Sequence, residues 1–298
     1  MKQFFRKMSR PELTGLPSDF YNASESGKYA QSSRMNSIQN EITNRALELL
    51  ALPEGSHYIL DIGCGTGMSG AVLESAGHYW VGCDVSRSML DEAVEAKGDG
   101  AGGGGDLLEH DMGTGLPFQP QTFDSCVSIS ALQWLCYSNS KDQFPKQRLL
   151  RFFSSLYLVL KRTGRAVLQF YPETAEQAVL ISECASRVGF SGGVVVDYPN
   201  STKAKKHYLV LGFDRGKTQQ MPAALGTSTS QRAMGGSGVS VATNAKEKRA
   251  HAHKKKKGSA KNKTRDWVLQ KKEVQRRKGE KNVREDTKFT ARKRKDKF

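Results

Sequence analysis

The chain has little cysteine, and no pattern pairs what it has. Cys64, Cys83, Cys126, Cys136 and Cys184 are scattered over 298 residues with no C-x-x-C among them. An odd, dispersed set argues against a disulfide framework or an internal zinc site, so no bound metal is expected and a reducing compartment is. Long apolar runs are also missing, since none reaches the roughly 18 residues that a membrane-crossing helix needs. The basic N-terminus, Met1-Lys2-Gln3-Phe4-Phe5-Arg6-Lys7, lacks the apolar centre of a secretory signal. Net charge is absent from most of the chain. Residues 246–298 carry 23 Lys and Arg against 7 Asp and Glu, leaving 23 of each sign in the first 245 residues. The whole net charge of +16 therefore sits in the tail. A neutral body with a basic tail points to a polyanionic partner, most simply nucleic acid.

What is present reads as alternating strands and helices. Residues 1–33 are polar without clear periodicity and form an N-terminal cap segment. Ile38, Ile42, Ala46, Leu49 and Leu50 then recur at helical spacing until Pro53. Strands are expected at 57–61, 79–84, 106–110, 123–129 and 165–171. Helices are expected near 67–76, from a capping box at Ser88-Met89-Leu90-Asp91 to Lys97, and over 144–160 and 173–188. Gly98 to Gly105 reads as a flexible loop. Two closing strands, 193–198 and 206–213, lack a helix between them and should form an antiparallel hairpin at one edge. The expectation is an α/β fold over residues 34–213, a mostly parallel seven-stranded sheet with helices on both faces. Residues 214–245 resemble a flexible linker. The tail, 246–298, has the composition of a largely disordered segment, although Trp267-Val268-Leu269 could fold on a partner.

The most informative stretch is His57-Tyr58-Ile59-Leu60-Asp61-Ile62-Gly63-Cys64-Gly65-Thr66-Gly67. An apolar run ends in an acid and breaks into alternating glycines, which lets the backbone approach a ligand closely. A second run, Val81-Gly82-Cys83, ends in Asp84. A glycine turn followed at about 20 residues by a carboxylate is the layout that holds a nucleoside by its ribose hydroxyls. Gly65-x-Gly67-x-x-Gly70 fits a dinucleotide fingerprint, but that motif alone is weakly specific. Read from Asp61, the pattern Asp61-x-Gly63-x-Gly65-x-Gly67 resembles the first motif of class I S-adenosylmethionine-dependent methyltransferases, whose fold is Rossmann-like. The closing hairpin, the Asp111-Met112 pair and Phe123-Asp124 resemble the same class, and residues 40–213 leave no room for a second catalytic domain.

That resemblance implies roles. Gly63, Gly65 and Gly67 hold the methionine end of S-adenosylmethionine, Asp84 accepts from the ribose, Asp111 accepts from the adenine amine beside Met112, and Ser128 joins them. Asp61 has two open readings, contact with the donor or capping of the turn. Cys64 and Cys83 read as small buried fillers. The acceptor side falls on Ser128 to Cys136, which lacks both the [Asn/Asp]-Pro-Pro-aromatic motif of amine methylases and a cysteine placed after proline as carbon-5 methylases require. A ring nitrogen such as guanine N7 carries its own lone pair and needs no general base. Stacking and edge contacts from Trp134, Gln133 and Ser130 would serve it. Trp134 reads equally well as a core aromatic.

Asp19-Phe20-Tyr21-Asn22, Lys28-Tyr29, Ser33-Arg34-Met35, Asp111 through Phe118, and Ser128 through Cys136 together resemble the eukaryotic guanine-N7 methyltransferases of small-subunit (18S) rRNA, over about residues 17–213. This family resemblance implies methylation of one guanosine of the pre-40S particle during ribosome biogenesis, in the nucleus and nucleolus and also in the cytoplasm. It implies a small zinc-binding activator subunit that extends the sheet along Asp106 to Asp111, where the glycine loop departs from the family's usual length. It makes Tyr29 and Arg34 candidates for closing over donor or substrate, with a surface contact the other reading for Arg34. Lys254 to Lys257, Arg276-Arg277-Lys278 and Arg292-Lys293-Arg294-Lys295 read as targeting signals, RNA contacts or both. A second class of function stays open, a ribosome-assembly factor whose binding role dominates and whose catalysis is dispensable. A small-molecule methyltransferase is weaker, because it leaves the tail without a purpose.

Overall fold

The computed structural model describes residues 10–97, 105–138, 143–213, 222–226, 265–280 and 283–287. Seven strands, β1 (Tyr58–Ile62), β2 (Tyr79–Asp84), β3 (Asp106–Glu109), β4 (Phe123–Ile129), β5 (Leu160–Phe170), β6 (Ser191–Asp197) and β7 (Lys206–Gly212), make one sheet in the order β3-β2-β1-β4-β5-β7-β6. The first five run parallel, and β7 lies antiparallel between β5 and β6. The antiparallel pair stands at the sheet's edge, as the missing helix between its strands requires.

Side-chain alternation assigns the two faces. On one face Leu60, Ile62, Cys126, Ala166, Leu168, Leu209 and Leu211 meet helices α6 (Pro145–Val159) and α7 (Ala175–Val188) through Leu149, Phe152, Phe153, Leu156 and Ile181. On the other, Ile59, Val127, Val167 and Val210 meet α3 (Ser33–Leu50), α4 (Met68–Ser75) and α5 (Arg87–Lys97) through Ile42, Ala46, Leu49, Leu73 and Leu90. Strands buried on both faces read as continuous apolar runs, which is why the sequence marks them so clearly.

Three features differ from the sequence expectation. From residue 10 onward the aperiodic N-terminal segment is helical, with a 3-10 turn at Pro11–Leu13 followed by α1 (Pro17–Phe20) and α2 (Ala23–Ala30). Local chemistry sets these short elements. Pro17 starts α1, and the Asn22 side-chain oxygen accepts the N–H groups of Ser24 and Glu25 at 3.1 and 3.3 Å to open α2. The cap of α5 is Ser86, whose hydroxyl accepts from Met89 N–H at 3.3 Å, rather than Ser88. Ser86 Oγ also donates to the Tyr21 carbonyl at 2.7 Å, tying the N-terminal helices to the sheet.

The third difference is the C-terminal region. Residues 222–226 pack on the body, with Leu225 N–H donating to Asp197 at 2.8 Å and Ala223 C=O accepting from Arg45 at 2.8 Å. Arg265–Arg277 forms a helix, α8, so part of the tail expected to be disordered has regular structure. The glycine loop 98–104 and the lysine-rich runs 254–257 and 292–295 lie outside the described residues.

Gly70, the third glycine of the dinucleotide-like pattern, serves packing. A Cβ there would stand 2.2 Å from the Trp80 ring. Gly70→Val should therefore destabilise the fold by about 1–3 kcal/mol through overpacking, read as a lower midpoint in urea unfolding. An unchanged midpoint would show that Trp80 yields freely.

Candidate active site

Strand order reverses between β1 and β4, and such reversals open a crevice at the carboxyl ends of the strands. Here the crevice encloses about 900 Å³, counting its mouth to solvent. Its floor is the turn after β1. Gly63, Gly65 and Gly67 all have left-handed backbones, with φ of 72, 54 and 79°. Gly63 is the most constrained, because a Cβ would meet Ala131 Cβ at 2.3 Å where the segment after β4 crosses the turn.

Asp84 ends β2 and holds this turn in place. One carboxylate oxygen accepts Gly65 N–H at 3.0 Å and the other accepts Ser86 N–H at 2.8 Å. Burial raises its pKa against the pull of these backbone donors. Each oxygen keeps a further lone pair for a ligand. Asp111, beyond β3, caps the 3-10 turn Met112–Thr114 by accepting Gly113 N–H at 2.8 Å. Its two oxygens also face Arg148 Nη2 at 2.8 and 2.9 Å.

Tyr29, Gly63, Gly65, Asp84, Asp111, Met112, Ser130 and Trp134 all line the crevice, so most of the residues singled out by sequence come together. Tyr29 accepts from Gln39 Nε2 at 2.8 Å, and burial pushes its phenol up to about 12. Ser130 has φ of 60° and donates to Gln169 Oε1 at 2.7 Å. Trp134 belongs to the buried 3-10 turn Leu132–Cys136, is 7% exposed, and lies 6.3 and 6.1 Å from the Phe20 and Tyr21 rings. It is at once a core aromatic and a wall of the crevice.

Five expected residues stand apart from the lining. Gln133 turns inward, donating to Ser130 C=O at 2.6 Å and accepting from Tyr171 N–H at 3.4 Å, so it braces the loop from outside the crevice lining. Ser128 Oγ is buried and donates to Ile62 C=O at 2.7 Å, joining β4 to β1. Gly67 is the N-cap of α4. Arg34 is exposed in the first turn of α3. Asp61 is fully buried beneath the turn and accepts from Ser69 Oγ at 2.6 Å, while its Oδ1 has no hydrogen bond among the described residues.

The sequence reading also missed contributors. Tyr21, Gln39, Met89, His110 and Arg148 line the crevice. Tyr21 lies within the motif Asp19-Phe20-Tyr21-Asn22, and His110 adjoins Asp111. Arg148 arrives from α6, 37 residues beyond its partner, and no local pattern signals that contact. Cys64 and Cys83 are buried and their thiols are pushed up, Cys83 to about 12, so neither presents a thiolate at neutral pH.

An open sheet of this order, with a glycine turn after β1, an acid ending β2 and a closing antiparallel pair, is the fold of class I methyltransferases. Residues 59–164 match the family described as "Methyltransferase domain", and residues 209–296 match "Methyltransferase involved in Williams-Beuren syndrome". Among solved structures, a magnesium protoporphyrin IX methyltransferase of Synechocystis PCC 6803 shares the fold, with a TM-score of 0.51 at 16% identity over 69% of this chain and 98% of that one. The 18S rRNA (guanine-N(7))-methyltransferase of Bos taurus is 50% identical over 97% of this chain and 98% of its own. The 18S rRNA (guanine(1575)-N(7))-methyltransferase of Saccharomyces cerevisiae is 44% identical over 98% and 100%. The chain belongs to the 18S rRNA (guanine-N(7))-methyltransferase family.

The buried Asp61 leaves a signature in stability. Burial raises its carboxyl to about 7, with Ser69 pulling the other way and Asp84 adding to the rise. Between about pH 4 and pH 7 the unfolded chain has released this proton and the folded chain has kept it, so stability falls as pH rises. Asp61→Asn should remove this contribution and raise stability at pH 7.5 relative to pH 4.5 by a few kcal/mol against the parent. Urea unfolding at the two pH values measures it, and parallel pH dependences would contradict it.

Proposed function

We propose that this chain transfers the methyl group of S-adenosylmethionine to N7 of a guanine in small-subunit rRNA. The observation that carries the reading is the arrangement of one crevice. Two acids and a glycine turn line one side, and an aromatic loop without a base or nucleophile lines the other.

The donor fits the residues present. Asp84 keeps lone pairs for two ribose hydroxyls, and Asp111 has acceptor capacity toward an exocyclic amine. Met89, Met112, Ile129 and Leu135 offer apolar surface for a purine. Thr66 Oγ1 is buried in the lining without a hydrogen bond among the described residues, a polar atom available to the methionine end. S-adenosylmethionine supplies a methyl already activated on a sulfonium. The protein's task is then placement, bringing acceptor and methyl into line.

The acceptor side suits a ring nitrogen. N7 attacks with its own lone pair and releases no proton, so no group need act as base. Trp134 presents a stacking surface, and the bond from Ser130 to Gln169 sets the height of the loop that carries it. The Gly63–Ala131 contact joins the two halves of the crevice, so the donor turn and the acceptor loop share one reference point.

Partners follow from the sheet's edge. Among the described residues β3 pairs only with β2, and its Asp106–Glu109 backbone is an edge available to a further strand. A small zinc-binding activator docking there would bury that edge beside Asp111. An rRNA target supports a role in pre-40S biogenesis, with the nucleus and nucleolus, and also the cytoplasm, as the proposed compartments.

Purified chain, with any subunit that co-purifies, should transfer labelled methyl from S-adenosylmethionine to small-subunit rRNA. The label should fall at a guanosine where mild reduction and aniline cleave the strand. Label at an exocyclic amine or a carbon would contradict the reading. Gly63→Glu should abolish transfer by filling the turn, and 40S production that persists in cells carrying it would assign the essential role to assembly. With no base required, turnover should vary less than about threefold between pH 6.5 and 9. A bell-shaped profile would reveal a catalytic acid or base. Trp134→Ala should lower turnover on rRNA by roughly a hundredfold while leaving donor affinity within about twofold. Equal losses in both would make Trp134 purely structural.

A further inference from the structure

Arg276-Arg277-Lys278 reads in sequence as one of three basic runs for targeting or RNA contact. In the fold its cations are already engaged. Arg276 Nη2 stands 2.7 Å from Asp286, which also takes Lys272 Nζ at 2.9 Å. Arg277 Nε lies 3.4 Å from Glu273. Lys278 Nζ reaches into the body and meets Glu173 at 2.5 Å. A side chain meant for phosphate would keep its charge toward solvent, whereas that of Lys278 is neutralised by a carboxylate from the β5–α7 connection.

The contacts continue toward the crevice. The other oxygen of Glu173 accepts the Tyr137 hydroxyl at 2.9 Å. Tyr137 is fully buried, and its N–H closes the Leu132–Cys136 turn on the Trp134 carbonyl at 3.4 Å. The next residue, Ser138, donates its N–H to the Arg277 carbonyl at 2.6 Å. The end of α8 is therefore tied to both sides of Tyr137, by backbone to Ser138 and through Glu173 to the phenol. Lone surface ion pairs contribute little. This one is part of a network with a partly buried carboxylate, a buried phenol and a backbone bond, so its members hold one another in place.

We infer that Lys278 and Glu173 form a clasp by which the C-terminal helix positions the Trp134 loop, making the helix a working part of the acceptor side. This rests on the reading of that loop as the face that meets the base. Neither residue touches the substrate. Both are positioning residues, acting through Tyr137.

The test uses the full-length chain with its co-purifying partners, as Lys278→Glu, Glu173→Lys and the double charge swap. Three quantities are measured: turnover on small-subunit rRNA, affinity for S-adenosylmethionine, and hydrogen exchange of the Ser138 amide. Each single variant should lower turnover roughly tenfold, keep donor affinity within about twofold, and speed Ser138 exchange. In the double variant the ammonium at 173 pairs with the carboxylate at 278 and donates to the Tyr137 phenol oxygen instead of accepting from it, so turnover and protection should return, which they would not in a variant damaged in folding. Singles with parental turnover and parental Ser138 protection would overturn the clasp. So would a loss that the double swap fails to reverse, or a change confined to nuclear import. An unaltered chain that leaves rRNA unmethylated would instead contradict the rRNA reading, and Ser138 exchange would still decide whether the clasp exists.

Discussion

The partly buried carboxylate of Asp84 holds two turns at once, with Gly65 N–H on one oxygen and Ser86 N–H on the other. Through Gly65 it fixes the glycine turn after β1. Through Ser86 it sets the start of α5, and Ser86 in turn anchors the N-terminal helices at the Tyr21 carbonyl. Burial of that acid is costly in isolation, and its pKa rises accordingly. The backbone donors offset part of the cost while leaving lone pairs directed at the crevice. A strand-end acid that looks like a ligand group is thus also the joint on which the floor, the N-terminal helices and α5 are assembled.

The acceptor side is built by the same kind of economy. Ser130 adopts a left-handed backbone and bonds Gln169, Gln133 braces the loop from beneath, and Tyr137 closes the short turn that carries Trp134. None of these supplies an acid or base at the reacting position. They hold a surface still, which is what methyl transfer to a nitrogen with its own lone pair requires. The C-terminal helix extends the bracing from outside, so the tail and the crevice are one mechanical unit from Lys278 to Trp134.

Much of this was legible in the sequence because its physical causes are local or periodic. Strands buried on both faces announce themselves as apolar runs, and the glycine turn, Asp84 and Asp111 mark their strand ends by type alone. What escaped depends on distance or direction. Arg148 reaches Asp111 from another helix. Gln133 and Ser128 have the right chemistry but face into the fold, and sequence spacing does not fix that orientation in an irregular turn. The cap at Ser86 was displaced to Ser88 because both are serines before the same apolar run. The N-terminal helices are too short for periodicity and depend on Asn22 and Pro17. The tail helix was hidden by a composition that is charged throughout, since its partners lie on the body and in the acidic residues Glu273 and Asp286.

The most direct test of the account is a structure of the full chain with S-adenosylhomocysteine. The ribose hydroxyls should bond Asp84, the adenine amine should bond Asp111 while Arg148 stays on that carboxylate, and the amino-acid end should lie over Gly63 to Thr66. The sulfur should face the Trp134 side of the crevice. A nucleoside bound elsewhere, or in this crevice with its sulfur turned away from Trp134, would contradict the account.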